Sequence, residues 1–175
     1  MLVITGTLFF FHHRGHGGHG VLLIKQKKLY VLCALCGEFP YLCSVMEKFE
    51  LHILGCGSAL PTTRHFATSQ VVNVRDKLYM IDCGEGSQLQ FRKSRLKFSR
   101  LNHIFISHLH GDHCFGLLGL ISTLNLLGRT AELHIHSPKG LETLFAPMLS
   151  FFCRQMTYKV IFHEFETKEP GMIYE

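Results

Sequence analysis

The 175-residue sequence predicts a mixed α/β domain in which short strands alternate with helices. Apolar residues make up 47% of the chain, which is enough for one domain with a substantial core. Residues 115–127 are apolar nearly all round, which predicts a helix buried on both sides. The alternating or short apolar runs typical of strands lie at residues 47–57, 69–74, 77–82, 104–107, 132–137 and 158–166.

Three connecting segments complete this prediction. Arg75 and Asp76 separate the second and third strand runs, so these two runs predict a β-hairpin. Residues 82–88, Asp-Cys-Gly-Glu-Gly-Ser-Gln, are expected to turn the chain into a helix. Their small side chains are expected where the backbone passes closely beneath the histidine-rich loop further along the chain. A later helix at residues 139–149 is expected to be interrupted or bent near Pro147.

The most distinctive stretch is Ile104-Phe-Ile-Ser-His-Leu-His-Gly-Asp-His113, which holds four metal-capable side chains within six residues. His108 and His110 are two apart, so at the end of a strand their side chains point to the same side. Asp112 and His113 follow a glycine, where the chain can turn and present both groups to a second metal position. Imidazole and carboxylate ligands suit zinc, and also manganese or iron, since no thiolate lies among them. Scattered surface histidines would not reproduce this order.

Four polar residues outside this stretch are assigned supporting roles. His103 lies on the strand that leads into the loop and is expected to be structural. His134 and His136 alternate with apolar residues on a later strand, and no acidic or third ligand follows them, so a second metal pair is not expected. Asp82 is expected to orient a histidine ligand rather than to bind metal itself, with a plain helix cap as the alternative.

Residues 1–45 differ in character from the rest of the chain. A low-complexity stretch rich in histidine and glycine lies at residues 9–20. A signal peptide would place positive charge before its apolar run, whereas here the lysines follow it. Cys33 and Cys36 have the spacing of a redox or zinc motif, but a single pair is weak evidence. We expect a disordered extension, or a stretch upstream of the natural start, with Met46 beginning the folded part.

Charge and cysteine content limit the classes of partner and compartment. The net charge is +5, of which residues 1–45 contribute +3 and residues 46–175 contribute +2. A mildly basic body is compatible with an anionic substrate. Seven cysteines, an odd number without regular spacing, indicate free thiols in a reducing cytoplasm. The sequence contains no run of about 18 apolar residues, so a membrane-spanning helix is not expected.

Two basic features could contact phosphate groups. Arg64 lies in a polar loop that follows a glycine-rich turn, where a phosphate contact is possible. Residues 91–100 hold five cations interleaved with aromatic residues, namely Arg92, Lys93, Arg95, Lys97 and Arg100. Such a run is usually a solvated face, but it can also bind the phosphates of a nucleic acid. The sequence leaves both interpretations open.

Three motifs, taken together, resemble the ribonuclease Z family of the metallo-β-lactamase superfamily. They are Leu54-Gly-Cys-Gly-Ser-Ala-Leu-Pro-Thr62, Ile81-Asp-Cys-Gly-Glu-Gly-Ser-Gln88 and the segment from Ile104 to Leu120. The similarity covers about residues 46–175, which match the amino-terminal half or slightly more of such an enzyme. It implies an α/β fold of the αββα sandwich type, with a dinuclear site between two β-sheets, of which this chain holds the amino-terminal part.

The resemblance also implies roles for the histidine-rich loop. His108 and His110 match ligands of one zinc ion, and Asp112 and His113 match ligands of a second. Asp112 also matches the proposed proton acceptor. The implied reaction is endonucleolytic removal of the 3′ trailer from precursor tRNA, which leaves a 3′-hydroxyl on the tRNA.

The chain departs from the family pattern in three respects. The remaining ligands of the family, a further histidine, a bridging aspartate and a last histidine, lie beyond residue 175. The flexible arm that binds the tRNA elbow lies beyond it as well. The family's proline loop carries a lysine, an arginine and an asparagine, whereas this chain has Pro61-Thr-Thr-Arg64-His65-Phe66. Arg64 is therefore the candidate substrate contact, and discrimination against mature CCA ends is in doubt.

Two other classes of function stay open. A different metallohydrolase of the same fold, such as a phosphodiesterase or an arylsulfatase-like enzyme, would share the metal motif without depending on tRNA. The non-enzymatic alternative is a truncated, inactive half that retains zinc poorly. The helix expected at residues 115–127 needs a partner for its second face, which predicts a homodimer.

Overall fold

A computed structural model describes residues 49–58, 60 and 62–166, and it has the mixed α/β character that the sequence predicts. The strands are Phe49–Gly55 (β1), Ser69–Val74 (β2), Lys77–Ile81 (β3), Leu101–Phe105 (β4), Leu133–Pro138 (β5) and Val160–Phe165 (β6). The helices are Ser87–Lys93 (α1), Gly111–Cys114 (α2), Leu117–Leu126 (α3) and Leu141–Phe152 (α4), with a 3-10 turn at Phe98–Arg100. The predictions for residues 1–45 and for Met46 lie outside the described residues.

One sheet contains these strands in chain order, from β1 at one edge to β6 at the other. The β1–β2 and β2–β3 pairs are antiparallel, whereas β3, β4, β5 and β6 run parallel to one another. Parallel neighbours need crossover connections, and α1, α2 with α3, and α4 supply them in turn. The β2–β3 connection is the predicted hairpin. Arg75 (φ 51°) and Asp76 (φ 64°) have the positive φ angles that a two-residue turn of this kind requires.

The core lies between one face of this sheet and the helices. Ile104 and Ile135, on β4 and β5, are fully buried and belong to the same apolar cluster as residues of α1, α3 and α4. His103 and His134 alternate with them along the strands, so they lie on the opposite face of the sheet. The helix-covered face therefore forms the hydrophobic core of the described residues.

Helix α3 is less enclosed than its apolar sequence predicts. Leu117, Leu120, Ile121 and Leu124 are buried, but Leu126 is 84% exposed. One side of the helix is therefore buried by the described residues, and the expected burial of the other side by a partner stays a prediction. An apolar sequence on every side of a helix does not reveal which side the chain itself covers.

Helix α4 runs without interruption through Pro147, so the expected interruption is not found. Proline removes one backbone donor, the N–H that would bond to the carbonyl of Thr143. Leu141, Phe145 and Leu149 are buried on either side of this position along the helix. Their packing against the core stabilises the helix across the missing hydrogen bond.

Two glycines allow the segment after β3 to lie directly against the start of α3. The Gly116 N–H donates to the carbonyl of Cys83 at 2.9 Å, and the Cys83 N–H donates to the carbonyl of His113 at 2.7 Å. A Cβ atom on Gly116 would overlap the Gly84 carbonyl, and one on Gly84 would overlap the carbonyl of Asp112. The small residues predicted at this crossing are therefore required by close backbone approach.

The described helices include none that is both long enough and apolar enough to cross a membrane.

Gly116→Ala is expected to lower the free energy of unfolding by about 1–3 kcal/mol, because the new methyl group would overlap a backbone carbonyl. The matched control is Gly119→Ala in the same helix, where the nearest atom is the movable Gln88 amide nitrogen at 2.9 Å. Alanine favours a helix over glycine by about 1 kcal/mol, so the control should be neutral or stabilised. Urea unfolding measures both variants, and an equal loss of stability in the two would contradict the close-approach argument.

Candidate functional site

The loop after β4 carries the four predicted metal ligands. Strand β4 ends at Phe105, two residues before the end of the predicted strand run, so His108 and His110 lie in the loop that follows the strand. The strand ends because the Ser107 N–H donates to the Asp82 carboxylate at 2.8 Å instead of to a neighbouring strand. Asp112 then lies in α2, a helix of a single turn.

The structure brings the four side chains together. The ring centroids of His108 and His113 are 3.7 Å apart, and those of His108 and His110 are 4.6 Å apart. The Asp112 carboxylate lies 3.5 Å from Nε2 of His113. His110 is exposed and the other three side chains are half-buried, so the cluster opens to solvent on one side.

The buried residue Asp82 contacts one member of this cluster, His113. Its side chain is 5% exposed, and one carboxylate oxygen lies 2.7 Å from Nδ1 of His113. The same carboxylate accepts a hydrogen bond from the Ser107 hydroxyl at 3.0 Å. A carboxylate in contact with Nδ1 fixes the proton there and leaves Nε2 of His113 as the nitrogen with a free lone pair.

Asp82 does not cap a helix, which was the alternative interpretation. Helix α1 begins at Ser87 with Gly86 as its N-cap, and it has no side-chain cap hydrogen bond. The backbone of Asp82 has φ 58°, which directs its carboxylate away from α1 and toward the histidine loop. Its role as an orienting residue for a metal ligand stays a prediction.

The electrostatics at His108 favour neutral imidazole. Burial lowers the pKa of His108 below its ordinary value, and the neighbouring His113 and His110 lower it further. A neutral ring is the form that coordinates a metal ion. The nearest thiol, Cys114, has its pKa raised by burial, and its sulfur donates to the carbonyl of His110 at 3.3 Å. The donor set is therefore nitrogen and oxygen without thiolate.

Imidazole and carboxylate are ligand types that zinc accepts, but too few of these side chains converge on one point to complete a zinc site. Across residues 49–58, 60 and 62–166, no group of three or more His, Cys, Asp or Glu side chains is arranged to hold one metal ion. Catalytic zinc usually takes three protein ligands. The described residues therefore offer part of a metal site, and a complete site needs ligands from elsewhere.

The loop that contains Arg64 lies beside the same crossing. The Thr62 hydroxyl accepts a hydrogen bond from the His65 N–H at 2.9 Å, which shapes the turn. Ala67 contacts the backbone at Gly84, and Gly84 in turn lies against Asp112. The side chain of Arg64 is exposed, so it is available to a ligand, and its role as a substrate contact stays a prediction.

A second group of histidines lies on the sheet face opposite the helices. Its four members form two pairs across the parallel strands. Nδ1 of His103 lies 3.2 Å from Nε2 of His136, and Nδ1 of His134 lies 2.9 Å from Nε2 of His163. These contacts agree with a structural role for the three histidines that were assigned one. Sequence reasoning overlooked His163, although strand alternation on the last strand would have placed it on this face.

The histidines of this second group that are most enclosed are neutral at physiological pH. Burial, together with the electrostatic effect of neighbouring histidines, lowers the pKa of His103 and of His136 to about 4. The His136 ring also stacks on Phe105 with centroids 4.5 Å apart. Protonation of both His103 and His136 would place like charges side by side on adjacent strands, so the contact between these two rings favours their neutral forms.

Comparison with solved structures defines the class of the fold. The metallo-β-lactamase fold protein YhfI from Bacillus subtilis matches with a TM-score of 0.53 and 18% identity, over 70% of this chain and 47% of that chain. The short form of human tRNase Z matches with a TM-score of 0.61 and 36% identity, over 65% of this chain and 44% of that chain. The described sheet and helices are therefore part of a metallo-β-lactamase fold, as the sequence predicts.

Sequence comparison gives the family. A family profile described as "Anti-Pycsar protein Apyc1" matches residues 49–150, and the chain belongs to that family. The protein named ribonuclease Z in Bacteroides thetaiotaomicron is 85% identical over 130 residues, which are 74% of this chain and 41% of that protein. The predicted resemblance to ribonuclease Z is confirmed. The chain spans about two fifths of the length of this curated relative.

Acidification is expected to destabilise the fold. His103 and His136 have a pKa of about 4 in the folded chain against an ordinary value of 6.5. The unfolded chain therefore binds more protons between these two pH values. Their contribution to stability is complete above about pH 6.5 and is lost as the pH falls toward about 4. The urea midpoint should be lower at about pH 5 than at about pH 7.5.

The control for this prediction is the double variant His103→Gln/His136→Gln. Glutamine does not titrate, so the variant should lose less stability than the natural chain over the same change in pH. A drop of equal size in both proteins would mean that other groups cause the acid sensitivity.

Proposed function

We propose that this chain provides one part of a zinc-dependent endoribonuclease site that removes the 3′ trailer from precursor tRNA. The observation that carries the proposal is the 85% identity over 130 residues with a protein named ribonuclease Z, in a chain that also has the His108–His113 loop. The fold and the donor set of the loop are compatible with hydrolysis of a phosphodiester.

In this proposal the four loop residues hold two metal ions. His108 and His110 ligate one zinc, and Asp112 and His113 ligate the other, with further ligands from outside these 175 residues. Bound zinc supplies Lewis acidity toward a water molecule and toward the attacked phosphate. Asp112 accepts the proton of the attacking water, and the products are a tRNA 3′-hydroxyl and a 5′-phosphorylated trailer.

Asp82 acts as a positioning residue for His113. Its contact with Nδ1, 2.7 Å away, leaves Nε2 as the ligand atom and fixes the ring plane. Two hydrogen bonds from Ser107 fix the carboxylate itself. The orientation of His113 therefore depends on a buried carboxylate whose own position is determined by the end of β4.

The RNA is recognised mainly through its shape and its phosphate backbone. Arg64 is exposed in the loop whose Ala67 lies against Gly84, and in this proposal its guanidinium binds a substrate phosphate. A phosphodiesterase or arylsulfatase-like activity on the same fold is the alternative function. The two functions differ in whether cleavage depends on tRNA.

The proposed enzyme is a homodimer in the cytoplasm. Leu126 and Leu127 at the end of α3 are exposed apolar side chains, which a second copy would cover. The described cysteines, Cys56, Cys83, Cys114 and Cys153, are free thiols, as a reducing compartment favours.

The test of the proposed function is zinc content per chain together with cleavage of a 3′-extended precursor tRNA. About two zinc ions and cleavage at the end of the tRNA body are expected, and Asp112→Ala should reduce cleavage by at least about 100-fold because a proton acceptor and ligand is lost. Substoichiometric zinc without cleavage would contradict the assignment of this activity to these 175 residues. Cleavage of a simple phosphodiester without any preference for tRNA would favour the alternative.

Asp82→Asn is expected to weaken zinc binding by about 10–100-fold, because an amide cannot accept hydrogen bonds at both oxygen positions. The matched control is Asp76→Asn in the β2–β3 turn. Both residues have a positive φ, which asparagine tolerates. Asp76 pairs with Arg100 at 2.8 Å and is not one of the residues that contact the histidine loop. Competition with a chromogenic zinc chelator measures both variants. Equal zinc affinities of Asp82→Asn and Asp76→Asn would contradict the positioning role of Asp82.

A further inference from the structure

A group of exposed cations lies on α1 and the turn that follows it. We call this group, which consists of Arg92, Lys93, Arg95 and Lys97, the α1 basic surface. Within the part of the chain that the structure describes, none of the four has a carboxylate in ion-pair contact. Arg100, in contrast, pairs with Asp76 at 2.8 Å. The α1 basic surface therefore keeps its positive charge uncompensated by the described residues.

The backbone that presents these cations is anchored in the core. Phe91 is fully buried, and its ring stacks on Phe98 with centroids 4.5 Å apart. The stacked pair brackets the four cations in sequence, so both ends of the segment are attached to the fold. Cations on an anchored backbone lose less conformational freedom when they bind an anion than cations on a loose tail do.

Arg95 has a left-handed backbone conformation, which glycine adopts more easily than other residues. Its φ is 55°, and its N–H donates to the carbonyl of Arg92 at 3.0 Å. The Leu96 N–H donates to the carbonyl of Phe91 at 3.3 Å, and these two bonds end the helix. Glycine is the preferred residue at such a left-handed helix end, since a Cβ atom is unfavourable there. Arg95 therefore carries a conformational cost, as Arg75 does in the β2–β3 turn, and its exposed side chain lies at the centre of the four cations in sequence.

The α1 basic surface is joined to the histidine loop through three contacts. Nζ of Lys93 lies 5.4 Å from the centroid of the Phe66 ring, so the cation rests on the loop that contains Arg64. Ala67, the next residue, lies against Gly84, and Gly84 lies against the backbone of Asp112. The segment that carries the cations is therefore linked to the backbone of the predicted metal ligand Asp112 through the loop that contains Arg64 and the buried Gly84.

We propose that the α1 basic surface binds the sugar-phosphate backbone of the RNA whose cleavage is proposed above, and this inference rests on that proposed function. The alternative is a solvated face without a partner. Uncompensated charge on four exposed cations and an anchored backbone together favour a bound polyanion. Phosphate contacts hold RNA without reading its sequence, so the surface contributes affinity and register rather than base specificity.

The test measures binding of a 3′-extended precursor tRNA transcript in an Asp112→Ala background, which prevents cleavage during the measurement. Lys93→Gln/Arg95→Gln is compared with Arg154→Gln/Lys159→Gln, which removes two exposed cations elsewhere and so makes the same change in net charge. The first pair should weaken binding by about 10-fold at low salt. It should also reduce the slope of log affinity against log salt by about 1–2, because each lost phosphate contact removes about 0.7–0.9.

A second variant, Arg95→Gly, separates binding from folding. Glycine suits the left-handed backbone, so the urea midpoint should rise while the affinity for the RNA falls. Affinity unchanged in this variant, or an equal loss in the test and control pairs, would overturn the proposal. Failure of the natural chain to bind the RNA at all would overturn it too.

RNA binding and RNA cleavage are measured separately, so failure of the α1 basic surface can be distinguished from failure of the proposed function. Binding that depends on Lys93 and Arg95, in a chain that never cleaves the transcript, would support the α1 basic surface and contradict the activity. If the chain cleaves the transcript and replacement of Lys93 and Arg95 does not change its RNA affinity, the result would support the activity and contradict RNA binding by the α1 basic surface.

Discussion

The arrangement of the histidine loop depends on one buried carboxylate. Asp82 follows β3 and accepts hydrogen bonds from the backbone and the hydroxyl of Ser107, which follows β4, while it contacts Nδ1 of His113 in α2. Three segments that are separate in sequence are thus joined at one side chain that is 5% exposed. Because a buried carboxylate is costly unless its oxygens are satisfied, these contacts act as a unit.

Close backbone approach supplies the second constraint. Gly84 and Gly116 bring the chain after β3 against the start of α3, so the loop between β4 and α3 has little freedom to move away from Asp82. The carbonyl of Asp112 contacts one of these glycines directly. Stability of the fold and geometry of the candidate site are therefore coupled, and a methyl group at the crossing would disturb both.

The two faces of the sheet have different chemistry. The face toward the helices is an apolar core, whereas the opposite face carries paired histidines, with Tyr79 stacked on His103 and Phe105 stacked on His136. Rings such as His136 are buried, while His163 is exposed. Neutral imidazole can both pack against aromatic rings and satisfy another ring nitrogen, which suits a face that is only partly covered by the described residues.

The sequence by itself determined the strand and helix order, the hairpin at Arg75 and the cluster of predicted ligands, because hydrophobic periodicity and turn residues act locally. It also predicted that Asp82 orients a histidine of the loop, and the structure places the Asp82 carboxylate 2.7 Å from Nδ1 of His113. Only the tertiary structure decided that the described residues leave the end of α3 exposed. The pairing of His134 with His163 was likewise beyond local patterns. Each of these depends on which distant backbone or side chain reaches a given atom, and that is a property of packing rather than of local sequence.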